Sequence, residues 1–245
     1  MVDVAAGLSW IAFPLYAVIG LRVRGRTPRL PPAAGSPLGL AGEAGKPPTR
    51  LLVIGDSSAA SVGIARQSDG MASRLAETLA PRLGGPVEWR AAGFNSATAG
   101  SLRDHVVHNL EPVVYSHILI TVGFNDMKNF HSGRRWAKEF GGLIYALKAR
   151  FPEARLYWSQ MLDPAEMPAL PPVLAAILRQ RMRLFNRLGA CLCGERGAVA
   201  IPPAVGLPPI GFCPDGIHPS EAGYLGWAEH VAPYMTEDGL ETPQA

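Results

Sequence analysis

Cysteine is scarce in this sequence: Cys191, Cys193 and Cys213 are the only three in 245 residues. An odd number cannot all pair, so no disulfide framework is written here, which fits a reducing compartment. Charge is thin as well, with 18% charged residues and a formal net charge of +3. Several of the arginines crowd into one short stretch near the N-terminus, so there is no basic footprint for nucleic acid. No internal repeat occurs. Positive charge is also missing ahead of the apolar N-terminal run, where a secretory signal would carry it: Asp3 precedes the run, while Arg22, Arg24, Arg26 and Arg29 follow.

Apolar residues are plentiful, at 48% of the chain. A chain of this length supports one well-buried domain, and a second core would be cramped. From Val4 to Leu21 there are 18 residues without a charge, and a helix of that length reaches roughly 27 Å, just short of a hydrocarbon core. The order of charges reads as an uncleaved membrane anchor, and the positive-inside rule keeps the remaining chain on the cytoplasmic side. Gly7, Pro14 and Gly20 weaken such a helix; the alternative is a segment lying in the interface or packed on the domain. The expected organisation is an apolar anchor with a basic flank at 1–29, a Pro/Gly/Ala-rich linker at 30–49, a folded domain at 50–235 and a polar tail at 236–245.

Within the domain, strand-length apolar runs alternate with helical patterns. Leu51 to Gly55, Val87 to Ala91, His117 to Val122, Arg155 to Ser159 and Ala198 to Ile201 read as strands. Met71 to Leu79, Leu102 to Leu110, Arg135 to Ala149, Val173 to Leu192 and Glu221 to Val231 read as helices. This β-α order implies a parallel sheet covered by helices on both faces, a three-layer α/β/α sandwich with five parallel strands, and ligands in such sheets bind beyond the strands' carboxyl ends.

Four segments carry chemistry, and three of them follow a strand. Gly55-Asp56-Ser57-Ser58 would raise a serine hydroxyl above the sheet edge, near backbone N–H groups that favour negative charge. Taken alone, it is also an ordinary capped turn. Ala92-Gly93-Phe94-Asn95 offers a glycine where backbone can approach a ligand, or a plain turn. In Gly123-Phe124-Asn125-Asp126 the asparagine amide can donate to an oxyanion, with Asp126 as a local brace, or the segment is an Asx turn. Asp215-Gly216-Ile217-His218-Pro219 lets an Asp accept one ring N–H of a His three residues on, leaving the other nitrogen to take a proton; the plain reading is a helix entry.

Together and in this order, the four segments resemble the consensus blocks of the SGNH (GDSL) hydrolases, and the resemblance runs from Leu51 to His230. It implies a flavodoxin-like fold and assigns Ser57 as nucleophile and first oxyanion donor, Gly93 as backbone donor, Asn125 as side-chain donor, His218 as general base and Asp215 as its orienting acid. Ser58, Ala91 and Phe124 depart from the family's commoner residues without removing a catalytic group. The implied activity is hydrolysis of carboxylic esters, lipid-type or short-acyl, through an acyl-enzyme on Ser57 with no metal or organic cofactor. Two alternatives stand beside it: a carbohydrate O-acetyl esterase, and a non-catalytic, membrane-tethered binding domain.

Other residues read as structural. His105, His108, His117, His131 and His230 show no ligand spacing, and the cysteines lack a fourth ligand for zinc. Arg179, Arg181, Arg183 and Arg187 read as a solvated helix face.

Overall fold

Alternation along the central strand explains the layers. In Leu51 to Ile54 every residue is buried. Leu52 and Ile54 join one apolar cluster, and Leu51 and Val53 join another on the opposite side. A strand covered on both faces is the signature of a parallel sheet between helices. The protein, described by a computed structural model over residues 10–43, 45–206 and 211–236, has this architecture.

The chain begins with helix α1 (Phe13–Arg26), followed by β1 (Leu38–Ala41), β2 (Thr49–Gly55), α2 (Met71–Leu83), β3 (Val87–Gly93) and α3 (Ala99–His105). It continues through β4 (His117–Thr121), α4 (Phe124–Lys128), α5 (Gly133–Arg150), β5 (Arg155–Ser159), α6 (Pro172–Glu195), β6 (Val199–Ile201) and α7 (Glu221–Val231). The strands lie in the order β1-β3-β2-β4-β5-β6. Helices α3, α5 and α6 cover one face with Leu102, Phe140 and Phe185 among their buried residues, and α2 and α7 cover the other with Leu75 and Tyr224. After β2 the chain moves first to β3 on one side and then to β4 on the other. The crevice where strand order reverses opens at the ends of these three strands.

Five strands stand where the sequence predicts them, and a sixth does not. The segment expected as linker contains β1, which pairs antiparallel with β3 from Leu38 opposite Arg90 to Ala41 opposite Val87. Four residues that include a glycine carry no readable alternation, so only the partner strand reveals them. The helix expected from Leu102 begins earlier, at Ala99, because Thr98 and Ser101 form a reciprocal capping box. Of the expected polar tail, all but Thr236 lies outside the described residues.

The anchor expectation finds no support among the described residues. No helix among the described residues is long and apolar enough to cross a membrane. Helix α1 has 14 residues, about 21 Å of helix against a core of roughly 30 Å, and it ends in Arg22, Arg24 and Arg26. Val4 to Ser9 lie outside the described residues. Instead of standing clear, α1 packs Tyr16, Ile19 and Val23 against the apolar cluster beneath α5 and α6, and Tyr16 Oη donates to the Lys128 carbonyl at 2.5 Å. The positive-inside argument for a cytoplasmic placement loses its basis with the spanning helix.

Arg181 is likewise not on a solvated face. Leu174, Leu178, Arg181 and Phe185 form one buried stripe of α6, and Arg181 is 2% exposed. Its guanidinium donates to the carbonyls of Met127 at 3.3 Å and His131 at 2.5 Å and lies 4.0 Å from the Phe130 ring centroid. Trp10, Phe13 and Tyr16 gather round Phe130 from the other side. Burial lowers the Arg181 pKa to about 10, which leaves it charged at neutral pH. Residue spacing does not distinguish a solvated arginine from one received by helix-end carbonyls.

Candidate active site

Three strand ends converge on the crevice. At the end of β2, Gly55 lies so close to β4 that a Cβ would fall 2.0 Å from Thr121 Oγ1, so only glycine lets the strand reach its last residue. Asp56 then turns inward. Its buried carboxylate accepts from Ser58 N and Ser58 Oγ, both at 3.0 Å, and from Asn125 Nδ2 at 3.3 Å. Burial pushes this carboxyl above its ordinary range, against the hydrogen bonds from Ser58. Ser58, a departure from the family's usual apolar residue, also lies 2.9 Å from Thr121 Oγ1, so a polar link ties the serine loop to β4. Ser57, between these two braced residues, lines the crevice.

Asn125 sits in the first turn of α4, 5% exposed. Its amide donates to the Ala97 carbonyl at 3.0 Å and to Asp56 Oδ2 at the longer 3.3 Å. The longer bond is the weaker of the two.

Across the crevice, the loop before α7 folds on itself. Gly216 takes a left-handed φ of 65°, which lets the amides of Ile217 and His218 both donate to Asp215 Oδ1 at 3.0 Å. The second carboxylate oxygen lies 2.5 Å from His218 Nδ1. Burial raises the Asp215 pKa, but the hydrogen bonds from the His218 ring and the two amides outweigh it, and the carboxyl titrates below its usual range. With Nδ1 engaged by an ionised partner, Nε2 is the nitrogen left to accept a proton.

Ser57, Asn125 and His218 line one cavity of about 210 Å³. No hydrogen bond joins Ser57 to His218 among the described residues. Gly93, expected as a backbone donor, is not among the lining residues; a Cβ there would stand 2.2 Å from the Gly55 carbonyl oxygen, so close strand packing by itself also requires glycine at this position. Asn95, two residues on, does line the cavity. Lys128 also lines it, one turn along α4 from Asn125. Desolvation pushes its ammonium below the ordinary lysine range, with Asp56 pulling it back up. Asn95 closes the second of the four segments without a role assigned to it there, and Lys128 could have been found by continuing the helical period from Asn125. Cys213 is buried beside the His218 loop, its amide donating to the His218 carbonyl at 2.7 Å.

The profile of the GDSL-like lipase/acylhydrolase family matches residues 53–225, well over half of the chain and every residue discussed above. The chain belongs to this family. This GDSL hydrolase is a serine ester hydrolase, and its solved neighbours share its fold. TesA superposes with a TM-score of 0.61 at 21% identity, covering 76% of this chain and 97% of TesA. The psychrotrophic esterase EstA from Pseudoalteromonas sp. gives 0.59 at 16% identity, covering 78% of this chain and 98% of EstA. A catalytic mutant of Axe2, an acetylxylan esterase from Geobacillus stearothermophilus, gives 0.55 at 18% identity, covering 75% of this chain and 92% of Axe2. No curated protein matches by sequence.

Proposed function

We propose that this GDSL hydrolase cleaves lipid-type carboxylic esters with Ser57 as nucleophile, His218 as general base and Asp215 as the group that orients the imidazole. The observation that carries the reading is the Asp215–His218 pair at 2.5 Å set on the same cavity as Ser57. Ser57 Oγ attacks the ester carbonyl as its proton passes to His218 Nε2, which then protonates the departing alcohol. The tetrahedral oxyanion is held by the Ser57 N–H and the Asn125 amide. A water then enters by the same base and releases the acid. The Gly93 N–H, at the end of β3 opposite Gly55, is the third donor of this proposed set.

For the acyl group, the support is the apolar character of the walls: Val122, Phe124, Met161, Leu162, Phe212 and Trp227 all face the cavity. Labelling by a fluorophosphonate probe tests the nucleophile. The intact protein should label at Ser57, and S57A should not label. Labelling of S57A at another residue would overturn the assignment.

A second reading, contact with a membrane surface, rests on the outer side of α1. Leu15, Val18 and Leu21 are exposed there, with Arg22, Arg24 and Arg26 exposed at the helix end. Apolar side chains beside arginines suit a helix lying in the plane of an anionic bilayer. Co-sedimentation with vesicles containing anionic lipid should fall for a double variant L15E/V18E, because those side chains carry no packing role. Unchanged sedimentation would refute the reading.

A further inference from the structure

Behind the oxyanion residue lies a group of side chains the reaction does not use. Asp126 follows Asn125 in α4, His131 lies in the loop between α4 and α5, and Glu139 projects from the second turn of α5. His131 Nδ1 stands 3.4 Å from Asp126 Oδ1 and 3.5 Å from Glu139 Oε2, and one ligand atom from each of the three falls within 4.8 Å of the others. The side chains are 0%, 8% and 16% exposed, for Asp126, His131 and Glu139 respectively. None of the three lines the ester cavity.

The two carboxylates are each held by a donor from outside the group, and the histidine by its backbone. Both oxygens of Asp126 accept from the Ala99 amide, at 3.1 and 3.3 Å, and the Arg135 guanidinium takes Glu139 Oε1 at 2.8 Å. The His131 backbone is fixed at both ends, its N–H donating to Asp126 O at 3.1 Å and its carbonyl receiving Arg181. What remains is His131 Nδ1 and Glu139 Oε2, both fully buried and without a hydrogen-bond partner. An imidazole nitrogen, nine-tenths buried and turned toward two carboxylates, calls for something to occupy the space between them.

We infer that Asp126, His131 and Glu139 form a binding site for one divalent transition-metal ion, with Zn²⁺ the best match. The spacing supports it, since ligand atoms about 2.0–2.1 Å from a tetrahedral ion lie roughly 3.3–3.4 Å apart. Charge supports it too: two carboxylates beside a neutral imidazole balance a divalent cation, and the mixed nitrogen and oxygen set suits zinc better than calcium or magnesium. Arg135 and the Ala99 amide supply the outer hydrogen bonds that orient metal ligands. The ion would tie α4 to α5, and through Asp126 to the start of α3. Its role is to position Asn125, not to touch substrate.

The test uses the full chain, stripped with chelator and then dialysed against Zn²⁺. Metal analysis should find about one ion per chain in the wild type and in H218A, which removes the histidine on the ester cavity. E139Q, which keeps the side-chain volume, and H131N should each lose it. Zinc at about a hundredfold above its dissociation constant should raise the wild-type Tm by roughly 5–10 °C, and that rise should vanish in E139Q. No bound zinc in the wild type, or equal uptake by E139Q and H131N, would overturn the site and leave an imidazolium bridging two carboxylates. Fluorophosphonate labelling of Ser57 is read in parallel, so loss of zinc with labelling retained separates failure of this site from failure of the catalytic assignment.

Discussion

At the residue scale, the consequences centre on Ser57, Asp215 and Arg181. S57A should lose roughly 10³-fold or more of ester turnover while its stability stays within about 0.5 kcal/mol of the wild type, because the serine bears no packing load. Steady-state kinetics beside a thermal melt checks both halves. D215N should cost roughly 10²–10⁴-fold by freeing the imidazole to adopt the wrong tautomer. It also has a stability signature with a defined sign. The Asp215 carboxyl titrates below its unfolded value, so its contribution is present above the unfolded pKa of about 3.9 and is lost as pH falls through the lower folded value. The Tm gap between wild type and D215N should therefore be widest near neutrality and close as the solution is acidified below about pH 4. Arg181 makes a different prediction. R181A leaves the Met127 and His131 carbonyls without their donor and removes the cation beneath Phe130, for a loss of about 3 kcal/mol by chemical denaturation.

At the scale of elements, α1 is an integral part of the packing. Three of its side chains lean on the main apolar cluster, and each half-buried contact is worth about 1 kcal/mol. Removing residues 1–29 should lower the denaturation midpoint and weaken short-ester turnover, because α4, which carries Asn125, loses the Tyr16 bond at its last residue. Retention of full stability and activity would show α1 to be dispensable. This element was half legible. Its apolarity is plain in the sequence, but its outer and inner faces are both apolar, so no moment says which side meets protein. The five parallel strands were legible because their apolar residues recur in strand-length runs between helical patterns, unbroken in β2 from Leu51 to Ile54 and interrupted by Glu88 and Arg90 in β3. Strand β1 was not, since four residues with a glycine have no period. Of the candidate site, Ser57, Asn125, Asp215 and His218 form a joint pattern in the sequence, each at an element boundary, and the fold brings Ser57, Asn125 and His218 to one cavity with Asp215 bonded to the histidine. At Gly93 the sequence is ambiguous: a glycine can be demanded by a ligand, by a neighbouring strand or by both, and the sequence reads the same in every case.

At the scale of the whole molecule, the cavity sets a ceiling on the acyl group. Each methylene buried is worth about 0.8 kcal/mol, or about fourfold in kcat/KM, so a series of p-nitrophenyl esters should climb by that factor per carbon until about 210 Å³ is filled and then level off. A maximum at acetate would instead favour the O-acetyl esterase reading. The edges of the sheet carry a practical consequence for anyone trimming this protein. The family match begins at residue 53, twelve residues after β1 ends at Ala41. That span would cut into β2 itself, which begins at Thr49, and even a fragment that kept all of β2 but started after Ala41 would strip the antiparallel strand from β3 and leave the amides and carbonyls from Val87 to Arg90 bare along one margin. Unpaired margins of that kind recruit other strands, so the shortened enzyme should polymerise edge to edge at concentrations where the full chain stays dispersed, and light scattering would register it before any assay did.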